Sequence, residues 1–88
     1  MTSLKQLIDR EDEIIHEINL VVLEITYAAN RLEDLKKNPS STERDILISS
    51  VEREIERLSE KRSSHLSDLR DCRMELRYYL DYLENILK

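Results

Sequence analysis

The sequence contains no glycine, tryptophan or phenylalanine, and only one proline and one cysteine. Zero glycine is the most restrictive of these absences. Phosphate-cradling loops, dinucleotide-binding turns, nucleophile elbows and primed hairpin turns need glycine where a side chain would clash or φ must be positive. Enzymes built on those loops are excluded, and no enzymatic activity is expected. The lone Cys72 excludes an internal disulfide and any multi-cysteine zinc site, and it suits a reducing compartment. Long apolar runs are lacking as well. The longest is Leu20-Val21-Val22-Leu23, far short of the ~20 residues that span a bilayer. Residues 1–10 mix Lys, Asp and Arg with scattered Leu, unlike a secretory signal. The expectation is a soluble, cytoplasmic protein with no membrane insertion.

What the chain has in quantity is charge. Of its 88 residues 38% are charged and 40% hydrophobic, with a net charge of −5, and this length allows one domain with little shielded volume. The strongest punctuation is Asn38-Pro39-Ser40-Ser41-Thr42. Pro39 cannot continue a helix and disfavours the helical region for Asn38. Lys36 and Lys37 place positive charge where a helix C-terminus favours it. Ser40 with Glu43 matches a capping box for a second helix, with Thr42 ahead of Glu43 and Asp45 as the alternative; Ser3 with Gln6 gives a weaker start for the first. The spacing predicts helix one at about 3–37, a loop at 38–42 and helix two at about 43–87, all within one domain.

Both helices carry a heptad pattern. With Leu4 as position a, helix one has a residues Leu4, Glu11, Ile18, Ile25 and Leu32 and d residues Leu7, Ile14, Val21, Ala28 and Leu35. Its e positions add Ile8, Ile15, Val22 and Ala29, a stripe wider than a two-stranded seam needs. Helix two has a residues Ile48, Ile55, Arg62, Leu69, Leu76 and Leu83 and d residues Val51, Leu58, His65, Cys72, Tyr79 and Ile86, widened by Leu66, Leu80 and Leu87. The fold class is therefore all-α, an antiparallel two-helix hairpin of coiled-coil type. Stacking a against d across a short loop pairs Leu35 with Ile48, Ile18 with His65, Ile14 with Leu69, Glu11 with Cys72, Leu7 with Leu76 and Leu4 with Tyr79. Helix one ends there, while Leu83, Ile86 and Leu87 continue the stripe.

Two apolar surfaces are left without cover in one chain. One is that C-terminal overhang. The other is the back of helix one, where Leu20, Leu23 and Tyr27 line up one turn after His16. A homodimer forming a four-helix bundle is the economical way to cover them. Tyr78, Tyr79 and Tyr82 cluster near the C-terminus, with Met74 beside Tyr78 off the seam, and tyrosine suits an interface through its apolar body and exposed hydroxyl. The candidate protein-binding residues are Leu20, Leu23, Tyr27, Met74, Tyr78, Tyr82, Leu83, Ile86 and Leu87.

The remaining chemical patterns favour structure over catalysis. Glu13 and His16 have the Glu-x-x-His spacing of di-iron bundles, but a second copy and further inward carboxylates are missing, so no metal is expected. His65 and Cys72 share a helical face about 10 Å apart along the axis, too far for a nucleophile–base pair. Cys72 reads as a buried structural thiol, and a symmetric dimer offers a way to bring it against its twin. Glu11, Arg62 and His65 interrupt the seam; Arg62 and His65 are expected to form a polar layer with Glu17 that fixes register. Arg53, Arg57, Lys61, Arg70, Arg73 and Arg77 are interleaved with acids, which argues against nucleic acid.

In length and acidity the hairpin is similar to small helical chaperones of type III secretion needle or filament subunits, and to small phage-encoded inhibitors of host proteins. The Trp-x-Gly turn of type VII-secreted hairpins has no counterpart. These likenesses imply a chaperone or inhibitor that masks a partner surface. The residues themselves point to a self-associating interaction module with a protein partner and no cofactor, and a coiled-coil spacer is the structural alternative.

Overall fold

The computed structural model describes residues 3–87, which form two helices, α1 at Leu4–Lys36 and α2 at Thr42–Leu87. α1 starts on a capping box. Ser3 Oγ accepts from the Gln6 N–H at 3.2 Å, and the Ser3 N–H donates to Gln6 Oε1 at 2.9 Å, so two otherwise orphaned donors are satisfied reciprocally.

The break before Pro39 closes without any residue at positive φ. A helix usually ends on a left-handed residue that turns spare N–H groups onto its last carbonyls. Here Lys37 stays right-handed at φ −76°, and the N–H groups of Lys37 and Asn38 reach the carbonyls of Asp34 and Leu35 at 3.2 Å each. Arg44 completes the closure. Its Nε donates to the Leu35 carbonyl at 3.0 Å and its Nη2 to that of Lys36 at 3.3 Å. A side chain in the first turn of α2 thus satisfies the last carbonyls of α1.

This corrects the expected cap of α2. Neither Ser40 nor Thr42 caps it. Ser41 does, accepting from the Arg44 N–H at 3.0 Å through its side chain and from the Asp45 N–H at 3.0 Å through its carbonyl. With Ser41 as the cap, the third helical residue is Arg44, and its guanidinium faces back across the loop. Glu43 is one residue too early to serve as a capping-box carboxylate.

The helices run antiparallel in a rod of 69 × 18 × 14 Å, about the length of 46 helical residues at 1.5 Å each. The buried side chains are Leu7, Ile14, Val21 and Ala28 of α1 and Val51, Leu58, Leu69 and Cys72 of α2. All but Leu69 are d positions, whereas the other a positions are only partly covered. Leu7, Ile14, Leu69 and Cys72 form a core cluster at the open end, with Leu76 and Tyr79 packed on it, as the pairing of Ile14 with Leu69 requires. Arg62 and His65 are partly buried and separate this cluster from Val21, Ala28, Val51 and Leu58 nearer the loop. Among the described residues no helix is long and apolar enough to cross a membrane.

Candidate protein-binding surfaces

Three surfaces of the rod expose apolar side chains in rows. The first is the back of α1. Leu20 and Leu23 are about half exposed and Tyr27 is 67% exposed, so the spacing that lines them up also turns them to solvent. Ala28, Glu24 and Arg31 of α1 with Glu54 of α2 surround the base of Tyr27.

The second surface is the C-terminal overhang. α1 begins at Leu4, and α2 continues for two more turns beyond Tyr79, which packs on the core cluster at this end. Leu83 is still partly covered, but Tyr82 and Ile86 are exposed and Leu87 is 85% exposed. Met74 and Tyr78, on the outer side of α2, line a small open groove with Arg77 and Asp81. The structure therefore divides the nine candidate binding residues between opposite places. Leu20, Leu23 and Tyr27 lie on mid-α1, while Met74, Tyr78, Tyr82, Leu83, Ile86 and Leu87 follow the last third of α2.

The third surface is a flank. In an antiparallel pair, e positions of both helices share one side of the seam and g positions the other. Ile8 and Val22 of α1 and Leu66 and Leu80 of α2 are e residues and all are exposed. Ile15, between Ile8 and Val22, packs partly onto the core. The g flank carries Arg10, Glu17, Glu24 and Arg31 against Glu54, Lys61, Asp68 and Glu75. The e side of the seam is the oilier one, although its α2 half also carries Glu52, Ser59 and Arg73, and the g side is mostly charged. Leu66 of this flank and the edge of the core residue Leu69, with Arg70, Arg73, Met74 and Arg77, line an open groove of about 380 Å3.

The polar seam residues behave differently from one another. Glu11 accepts from Arg73 Nε at 3.1 Å, a cross-helix pair that ties the open end. It rests on Arg73, a residue the sequence pattern does not single out for this role. Among the described residues His65 Nε2 is buried with no hydrogen-bond partner, so the expected layer with Arg62 and Glu17 is not closed through that atom. A nitrogen left in this state costs about 1–3 kcal/mol.

Cys72 is fully buried, 0% exposed, and its Sγ donates to the Leu7 carbonyl at 3.4 Å. Burial pushes the thiol above its ordinary value; Arg10 opposes this, Glu11 and Glu75 add to it, and Arg73 opposes it. The thiol faces α1 of its own chain, so the contact between two Cys72 thiols considered from the sequence has no access without opening the hairpin. Glu13 and His16 are both exposed, and among the described residues no three His, Cys, Asp or Glu side chains converge as a metal site. No protein-family model, curated protein or solved structure matches this sequence.

Proposed function

We propose that this chain is a non-enzymatic protein–protein interaction module. It self-associates, as a homodimer in a four-helix bundle, and presents an apolar and aromatic helix face to a protein partner. The carrying observation is that its exposed apolar side chains fall in rows on separate faces, where scattered single residues would need no explanation. Covering a large aliphatic side chain fully contributes about 1.5–3 kcal/mol, so burying such rows favours association.

The back of α1 is the surface for the foreign partner. Tyr27 has the exposed aromatic body typical of an interface anchor, with Leu20 and Leu23 one turn apart behind it, the geometry of helix-face recognition. The test combines sedimentation equilibrium with affinity capture from the native host, comparing the unaltered chain with the pair Leu23→Glu and Tyr27→Glu. The expected result is a dimer mass for both chains, with capture of one protein lost in the variant. Monomers of 10.5 kDa across the whole concentration range, or capture indifferent to the two substitutions, overturn the reading.

A further inference from the structure

The outer row of α2 on the oily flank is polarised along its length. Between residues 49 and 80 its b and e positions read Ser49, Glu52, Glu56, Ser59, Ser63, Leu66, Arg70, Arg73, Arg77 and Leu80, and one heptad further out the row carries an acid at both ends, Asp45 and Glu84. The acids lie toward the loop, the arginines toward the open end, and small serines with one leucine between them. A row that changes sign about its middle is complementary to itself when a second copy is turned end for end. We infer that a second copy of this chain docks antiparallel on this flank, α2 against α2 and α1 against α1. This inference deepens the self-association proposed above and rests on it.

The two helices fix the axis independently. A twofold that brings Glu52 level with Arg77 of the second copy also brings Glu56 level with Arg73, and it crosses α2 between Ser64 and His65. On α1 the e row is Ile8, Ile15, Val22 and Ala29. The twofold that sets Ile15 level with Val22 of the second copy, and Ile8 level with Ala29, crosses α1 between Ile18 and Asn19. In the hairpin register Ile18 lies opposite His65, so both crossings fall at one height along the rod. Charge pattern on one helix and apolar pattern on the other select the same rotation.

The central contacts are physically suitable. Leu66 comes level with Ser63 of the second copy, a knob against a small residue, and the serines permit close approach of the two α2 helices. Glu52, Glu56, Arg70, Arg73 and Arg77 are all exposed in the single chain. Arg73 holds Glu11 through Nε, leaving its Nη groups to take a second carboxylate. At the ends Leu80 comes level with Ser49 of the second copy, and one heptad step further Glu84 comes level with Asp45, a like-charge pair at each rim set against the four opposite-charge pairs nearer the axis. The row Leu20, Leu23 and Tyr27 lies on the far side of α1 and stays free.

Charge reversal at the crossing pair tests this in the full-length chain. Sedimentation equilibrium at low salt is expected to show a dimer whose dissociation constant rises about tenfold in Glu52→Lys and again in Arg77→Glu, because each substitution sets like charges together twice. The double variant E52K/R77E restores it to within about threefold, since the swapped charges are again opposite. Val22→Glu, in the apolar half of the flank, abolishes the dimer, whereas Leu23→Glu leaves it intact. Circular dichroism confirms helicity in each variant. A dimer indifferent to Glu52→Lys, Arg77→Glu and Val22→Glu overturns this face and leaves self-association standing. A monomer in the unaltered chain overturns both.

Discussion

His65 occupies a core d position that an aliphatic residue fills elsewhere in the same helix, and its Nε2 is buried without a partner. Replacing an unsatisfied polar group by an apolar one of similar volume removes the desolvation penalty. His65→Leu is therefore expected to stabilise the hairpin by about 1 kcal/mol, read as a Tm rise of about 4–8 °C in a domain of this size. An unchanged or lowered Tm would show that the imidazole is satisfied in solution. Cys72 makes the stability depend on pH. Burial raises its thiol, so the folded chain holds that proton more tightly than the unfolded chain. The stability this contributes is full below the ordinary thiol value of about 8.5 and declines as pH rises through and beyond it. Urea denaturation between pH 7 and pH 9.5 should show this decline. In Cys72→Ala the decline should be absent, with the midpoint at pH 7 lowered by the equivalent of about 1 kcal/mol for the lost packing.

At the scale of elements, the decisive residue is Arg44. Its guanidinium takes the Lys36 carbonyl at the end of α1 and shares the Leu35 carbonyl with the Asn38 N–H. Arg44→Ala should cost about 1–2 kcal/mol, measured by thermal denaturation, while Arg44→Lys, with a single point donor in place of a fork, should recover only part of it. The helices themselves were legible in the sequence because heptad spacing and Pro39 act locally, and the a/d assignment identifies every side chain the structure buries. Arg44 was not legible. A serine run offers three adjacent caps, and which one is used depends on where the guanidinium can reach across the loop. The Glu11–Arg73 pair was hidden for the same reason, since it joins residues 62 positions apart. Leu20, Leu23 and Tyr27 were legible as a row because one helix alone sets their direction. The oily flank needs both helices in place before Ile8 and Val22 stand beside Leu66 and Leu80.

The whole molecule is a rod one helix thick in one direction, so each residue has few neighbours beyond its own helix and the facing one. Its seam runs from the loop, across the polar step at Arg62 and His65, to the cluster on which Tyr79 packs, and the last turns of α2 lie outside it. Removing the chain from Asp81 onward should therefore leave the Tm of the diluted chain within about 3 °C of the intact one, because the side chains of 81–87 are exposed apart from a partly covered Leu83 and add little burial within a chain. A larger fall would mean that the last turns belong to the seam. The hairpin is joined at one end only, and this has a kinetic consequence. Leu35 and Ile48 are 13 residues apart along the chain, whereas Leu4 and Tyr79 are 75 apart. Closing the short separation loses less chain freedom than closing the long one, so the two helices zip from the Arg44 clasp outward and unzip in reverse. Amide hydrogens at the far tip exchange first, and any protein that grips that tip acts as a second clasp.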